Sequence, residues 1–436
     1  MAGILVTAQA SRARAATRAR RRAREDDGVD VPRSRALLEQ VRSLPAAAPL
    51  LTRLRERPGV YLVGGAVRDL LMGGQPADLD LVVDGDAGAL AASLGGNVRR
   101  HDRFGTCTVA LEGFNYDIAR ARRERYPCPG ALPEVEPASL HEDLLRRDFT
   151  VNAAAVELAG PQAGQLSTAP SALEDLDRRL LRVLHNRSFA DDPTRLLRLV
   201  RYASRLGFEL EPCTRELVNE AIRRHSLRTV SGPRVGAELR LLAREPDPLC
   251  ALRVLEELGI GAEVDPGFGL HDVGLARRAL ALAPRDARRD RLVLALAARD
   301  VQERRLALLL EALAFEAADR DAILAAGSRA DQVATSLARA SAPSEIARAV
   351  AGGPPELVAL AGALGPAEQA RQWLTGGLRH VRLEIDGAAL LAAGVPEGPA
   401  VGRGLRAALA AKLDGRAPVR DQELAEALRA ARSVGR

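Results

Sequence analysis

Between Val60 and Val83 the chain reads VYLVGGAVRDLLMGGQPADLDLVV, a double glycine followed by an Asp-x-Asp on an apolar run. Few stretches constrain fold and chemistry together so tightly. Val60–Val63 predicts a short strand, and Gly64-Gly65 removes side chains where backbone amides must approach an anion. Ala66–Met72 predicts a helix whose N-terminal amides face that same anion. Arg68 adds a cation with planar donors suited to phosphate oxygens. Asp78 and Asp80, two apart on the next strand, project from one face. Adjacent carboxylates repel unless neutralised, and Mg²⁺ shared between carboxylates and substrate phosphates is the common solution. A double glycine alone is usually a turn, and an Asp-x-Asp alone is usually a solvated strand edge. The ordered set is far more specific, and it reads as a metal-dependent nucleotidyl-transfer site.

GG-x-x-R-D followed by D-x-D resembles the signature of the polymerase-β-like nucleotidyltransferases. GGAVRD itself resembles the bacterial class II tRNA nucleotidyltransferase and poly(A) polymerase family. That resemblance runs from about Val60 to Gly415, dense to about residue 250 and loose from there to 380. It implies an α+β fold: a nucleotidyltransferase head with a mixed sheet, then an elongated all-helical neck, body and tail. The expected divisions are a disordered basic arm at 1–35, head 36–158, neck 159–250, body 251–380 and tRNA-binding tail 381–436.

Composition agrees with a helical body, since 47% of residues are hydrophobic but only 3% aromatic. Residues 1–25 hold seven arginines and one glutamate, a net of +6 that equals the charge of the whole chain. The remainder is balanced, so an RNA surface must be a local patch. Cys107, Cys128, Cys213 and Cys250 form no CxxC, which argues against structural zinc and for a reducing, cytoplasmic setting. No long apolar run predicts a membrane span.

Along the chain, Arg35–Arg57 reads as one amphipathic helix. HDRFGTCTVAL and GFNYDIARA read as two strands joined by a turn. Pro127, Pro129, Pro133 and Pro137 exclude a helix and mark an exposed loop. From Leu140 onward the pattern reads as almost wholly helical.

Asp117, in YDIARA, falls on a strand expected beside the Asp-x-Asp strand, where a third carboxylate helps a metal lower the pKa of an attacking hydroxyl. In HEDLLRRDFTVNAAAVEL, Arg146 and Arg147 offer donors for a triphosphate. Asp148 and Asn152, read as i and i+4 on a helix, share a face. A carboxylate and an amide together can grip ribose hydroxyls, and RRDFT-x-NA resembles the family's ribose-recognition motif.

In SFADDPTRLLRLVRYASRLGF, Asp192 caps a helix begun by Pro193 and lies at i, i+3 from Arg195. Cytosine and adenine both present an exocyclic amino donor beside a ring-nitrogen acceptor, and uracil and guanine present the reverse. One carboxylate and one guanidinium therefore suit C and A and leave U and G mismatched. The family pattern here is Glu-Asp-x-x-Arg, and Asp191 is a departure from it. Arg198 falls where the family holds triphosphate, while Arg201 and Arg205 read as a solvated stripe. VSGPRVGAELRLLARE resembles a supporting helical motif, and 383–415 resembles the tail that grips tRNA in longer members.

The resemblance implies transfer of CMP and/or AMP from CTP and ATP to the tRNA 3′ end by a two-metal route, releasing pyrophosphate. It assigns Asp78, Asp80 and Asp117 to catalysis, with Asp78 and Asp80 holding Mg²⁺. Gly64, Gly65, Arg68, Arg147, Asp148, Asn152, Asp192, Arg195 and Arg198 would bind the nucleotide. The proline-rich stretch lies where the family has a mobile loop linked to A addition, which argues against a CC-only enzyme. The alternatives are an A-adding specialist, a poly(A) polymerase and, from another class, a non-catalytic RNA-end-binding protein. A small-substrate nucleotidyltransferase is disfavoured by RRDFT-x-NA, DDPTR and the helical tail.

Overall fold

The computed structural model describes residues 31–433 apart from 77, 102–104 and 351. The expected basic arm falls outside the described residues as far as residue 30. The chain forms two compact units. The first comprises residues up to 128 with 132–188 and 209–214, and the second comprises 129–131, 189–208 and 215 onward.

The first unit opens with helices α1 (Val31–Ser43) and α2 (Ala47–Leu54). Pro45 interrupts the single helix expected there, because its ring blocks the preceding turn. The chain continues through β1 (Val60–Val63), α3 (Gly65–Leu71), β2 (Leu79–Val83), α4 (Ala87–Leu94), β3 (Asn97–His101), β4 (Thr106–Leu111) and β5 (Phe114–Arg120). After a hairpin of β6 (Arg122–Arg125) and β7 (Glu134–Pro137) come α5 (Leu140–Leu145), β8 (Ala154–Glu157) and β9 (Leu166–Thr168). Seven strands form a mixed sheet in the order β3-β4-β5-β2-β1-β8-β9. Its one parallel pair, β2 with β5, needs a crossover, which α4 and the β3–β4 hairpin provide.

Strand alternation sorts the side chains. Leu62, Leu81, Val83, Tyr116 and Ile118 face a core completed by Leu37, Val41, Leu50, Leu90 and Leu94 from the helices. Val63 and Val82 face the other side, where a smaller cluster adds Leu144, Ala153 and Ala155. Asp80 and Asp117 stand on that second face by the period of two.

Two expectations are corrected. The segment after Leu140 is not wholly helical: β8 is a strand paired with β1, and β9 carries the sheet past residue 158. All four residues of β8 are buried, so no alternation marks it as a strand, and a short apolar run cannot be told from a helix by period alone. Likewise, the proline-rich loop has paired arms, with Arg122 opposite Pro137 and Arg125 opposite Glu134. Each proline in it lies outside the strands or at a strand end, as edge pairing allows.

The second unit is helical in every regular element that lies wholly within it. Helix α6 (Arg195–Leu206) buries Leu196, Leu197, Leu199 and Val200. Its opposite face does not form a solvated stripe. Arg201 contacts Glu245 at 2.9 Å and Glu238 at 2.9 Å, and Arg205 forks onto Glu245 at 2.7 Å through two nitrogens. Both glutamates belong to 230–245, the segment read as a support. At the C-terminal end, Gly387–Ala392, Pro399–Leu413 and Arg420–Arg432 pack around Leu390, Ala408 and Ala427. There the sole lysine, Lys412, reaches the buried Glu423 at 2.6 Å.

Glu245 is 5% exposed and satisfies two guanidiniums. Glu245→Ala takes one partner from each guanidinium, while Arg201 keeps Glu238, and is expected to cost about 2 kcal/mol of stability. The urea-unfolding midpoint checks this, with an unchanged slope showing that the fold is retained.

Candidate active site

In the first unit, register brings the carboxylates together. Asp80 and Asp117 are direct partners across the parallel β2–β5 pair. Asp78 lies just ahead of β2 rather than within it. Burial raises the Asp80 pKa above its ordinary value, and the Asp117 and Asp78 charges raise it further, against a lowering by Arg147. The side chain still reaches solvent, so the site is crowded with negative charge but open. Asp117 accepts a hydrogen bond from Thr108 Oγ1 at 2.6 Å, its register partner on β4.

The cation facing this charge is held from behind. Asp143 on α5 is fully buried, and it accepts from Arg146 Nε and Nη2 and from Arg147 Nη2. Burial opposes its ionisation, yet the two guanidiniums outweigh that and hold its pKa below the usual range. Arg146 also reaches Glu124 at 2.8 Å and so serves as scaffold. Arg147 Nε is buried and has no hydrogen-bond partner among the described residues. Its Nη1 lies against Gly64, where a built Cβ would stand only 2.9 Å away.

Gly64 has φ +71°, a conformation that favours glycine, so it is required on two counts. Its N–H donates to Ala154 O at 3.0 Å, which corrects the expectation that this amide approaches an anion. What Gly64 supplies is room for the guanidinium. Gly65, the first residue of α3, remains the candidate amide.

Arg68 and the ribose pair form one buried chain. Arg68, 2% exposed, donates to Asn152 Oδ1 at 2.6 Å and forks onto Asp69 Oδ1. Asn152 Nδ2 donates in turn to Asp148 Oδ1 at 3.0 Å, an amide orientation set by this network. Asp148 and Asn152 thus meet as expected, but through a 3₁₀ turn at Thr150–Asn152 rather than an α-helix. The extended Phe149, fully buried, keeps the α-helix from forming through this segment.

The remaining candidates lie in the second unit. Asp192 precedes α6, and its Oδ1 accepts from Thr194 N, Thr194 Oγ1 and Arg234 Nη2. The cap therefore serves a turn before the helix, and Thr194 takes the N-cap position. Arg195 opens the helix and is buried. Arg198 lies 3.7 Å from Glu238 and 5.7 Å from the Tyr202 ring centroid.

Sequence reasoning missed Asp143, Thr108, Asp69 and Arg234. Asp143 left a readable signal, an acid three and four residues before two arginines. Thr108 and Arg234 are placed by tertiary pairing and left none.

The donor set around Asp80 is all oxygen. Among the described residues no three His, Cys, Asp or Glu side chains gather closely enough to hold a metal unaided. Two or three carboxylates with an open side suit a hard divalent cation that completes its shell with phosphate oxygens. If Asp80 is ionised at a cost, Asp80→Asn removes that cost. With its folded pKa raised, the penalty is full above that pKa and vanishes below the unfolded value of about 3.9. In chelator at neutral pH, Asp80→Asn is therefore expected to be more stable than wild type, with the difference closing as pH falls through that window. Denaturant midpoints across pH check it.

Comparison with known proteins matches residues 60–182 to the poly(A) polymerase head domain. A CC-adding tRNA nucleotidyltransferase of Deinococcus radiodurans is 46% identical over 214 residues, 48% of this chain and 56% of that protein. An A-adding tRNA nucleotidyltransferase of Halalkalibacterium halodurans is 43% identical over 211 residues, 47% of this chain and 49% of that protein. The chain thus spans about half the length of these curated relatives. Among solved structures, a Thermotoga maritima CCA-adding enzyme complexed with tRNA superposes with a TM-score of 0.70 at 27% identity, covering 90% of this chain and 97% of that one.

Proposed function

We propose that the chain belongs to the class II tRNA nucleotidyltransferase and poly(A) polymerase family, a reading its head-domain match and its relatives support, and that it adds C and/or A residues of the terminal CCA to tRNA. CTP and ATP are the nucleotide substrates, the tRNA 3′ end is the acceptor, and the setting is cytoplasmic. The observation that carries this reading is the register pairing of Asp80 with Asp117 beside a pinned Arg147.

In this reaction the tRNA 3′-oxygen bonds to the α-phosphorus, the α–β bridging bond breaks, and pyrophosphate leaves. Proteins of this family use divalent metals. Asp78 and Asp80 are proposed to hold Mg²⁺, with Asp117 assisting, and the cation supplies charge neutralisation and a lowered pKa of the attacking hydroxyl. Arg147 meets triphosphate oxygens with Nη1, the terminal nitrogen Asp143 leaves uncommitted, beside the Gly65 amide. Gly64 lets that guanidinium approach. Arg68 acts by fixing the Asn152 amide, and Asp148 with Asn152 reads ribose. Asp192 and Arg195 read the base edge, so no nucleic-acid template is needed, and Arg198 holds triphosphate.

Among the described residues no helix is long and apolar enough to cross a membrane. Relatives named for A addition and for CC addition match comparably, so the nucleotide set rests on this chain's own template and hairpin. The hairpin at 122–137 keeps the A-adding specialist as the second reading.

The test is incorporation of labelled CTP or ATP into tRNA ending before CCA, after C and after CC. Use of both nucleotides across all ends supports complete CCA addition, and ATP use confined to the CC end supports the specialist. Asp78→Ala with Asp80→Ala is expected to abolish incorporation while tRNA binding persists. Retained incorporation would overturn the metal-site assignment. Wild-type binding to tRNA without incorporation of either nucleotide would leave the non-catalytic binder.

A further inference from the structure

Of Asp78, Asp80 and Asp117, only Asp117 accepts a side-chain hydrogen bond among the described residues. The donor is Thr108 Oγ1 at 2.6 Å, a length usual for a hydroxyl bound to an ionised oxygen. A hydroxyl has one proton, and here Asp117 takes it. The Thr108 oxygen is left as an acceptor, and His101 Nε2 lies 3.3 Å from it. That arrangement assigns the His101 proton to Nε2, as donor to Thr108. The three groups come from successive strands β3, β4 and β5, on the sheet face that carries Asp80.

Sheet order gives this chain of contacts a direction. β5 lies between β4 and β2, so Asp117 has Thr108 on one side and Asp80 on the other. The Asp80 and Asp117 charges oppose one another. Asp117 is exposed, so no apolar packing fixes its rotamer against that repulsion. The Thr108 bond holds Oδ1 on the β4 side. Among the described residues none donates to Oδ2, which stays available to the site.

We propose that Thr108 is the positioning residue for Asp117, and that His101 fixes the direction in which the Thr108 hydroxyl points. This deepens the nucleotidyl-transfer reading and rests on the assignment of Asp117 to assist the cation there. With the hydroxyl in place, Asp117 keeps one rotamer beside Asp80 and offers one unspent oxygen. Without it, Asp117 turns away from the Asp80 charge, and the cation site loses part of its negative charge.

The test has two readouts on the full chain. One is binding of Mn²⁺ alone, followed through the electron paramagnetic resonance signal of the free ion. The other is steady-state incorporation of CTP and ATP into tRNA lacking its terminal residues, with Mg²⁺ present. Thr108→Val removes the hydroxyl but keeps a branched side chain suited to a strand. It is expected to weaken Mn²⁺ binding about tenfold and to lower kcat about tenfold, with nucleotide KM little changed. Thr108→Ser keeps the donor and is expected to restore most of both. His101→Ala is expected to cost less, and to add nothing to Thr108→Val, because it acts through that hydroxyl. Thermal midpoints separate these effects from unfolding, and Thr108→Ala carries the same test should valine disturb the strand.

If Asp117→Ala loses either readout while the valine and alanine variants hold both at wild type, Asp117 acts unaided and the proposal is wrong. If Asp117→Ala itself keeps both, the assignment of Asp117 falls and the proposal with it. A serine variant no better than valine overturns the role of the hydroxyl. Additive losses from His101→Ala and Thr108→Val overturn the role given to His101.

Discussion

Two carboxylates set side by side by one parallel strand pairing are the constraint from which the head takes its form. Asp80 and Asp117 are adjacent because β2 and β5 run in the same direction and in register. Shift the register by one residue and each aspartate would turn into the apolar core beside Leu81 and Ile118. The sheet therefore cannot relax the repulsion by sliding, because the hydrophobic face locks it. Local charge must do the balancing, and the protein provides one cation, Arg147, that lowers the Asp80 pKa without cancelling the opposite effects. What remains is a site short of positive charge and open on one side. That shortage of positive charge is what the proposed cation site rests on.

Arg147 can serve there because its position is decided elsewhere. Asp143 is buried and ionised, a costly state that persists only because two guanidiniums share it. The carboxylate takes one Arg147 nitrogen and leaves the rest. The chain from Asp69 through Arg68 and Asn152 to Asp148 works similarly, with each group oriented by the one before it. An arginine that reads from sequence as a phosphate ligand proves to orient an amide.

How much of this is visible in the residues depends on the range of the interaction. The order GG, Arg68, Asp78, Asp80 is local, and strand period placed Asp80 on β2 while Asp78 falls just ahead of it. Asp117 was legible because the strand containing it alternates clearly, Asn115, Asp117 and Ala119 falling on one face against Tyr116 and Ile118. β8 was not legible, since a central strand covered on both faces loses the alternation that identifies it. Arg201 and Arg205 have the spacing of a solvated stripe, and nothing within α6 shows that Glu238 and Glu245 lie opposite. Gly64 was identified correctly as a position for glycine, but its amide had a partner in β8 that only the sheet order reveals. Contacts within one element were readable, and of those fixed by pairing between elements the neighbourhood of Asp80 and Asp117 was the one foreseen.

One device recurs in both units. Asp143 holds Arg147 through a single nitrogen, and Arg234 with Thr194 holds Asp192 through a single oxygen. In each case a partner of opposite polarity removes rotational freedom while leaving hydrogen-bonding capacity unspent. A freely rotating carboxylate would accept an amino group at many angles and would tolerate a misplaced one. A fixed carboxylate accepts it in one direction, and a base presenting a carbonyl there meets two acceptors face to face. Discrimination thus comes less from the strength of the contact than from the restraint on it. Such a restraint is built here from neighbouring side chains, and arginine is suited to it because its planar fork can grip two groups at once.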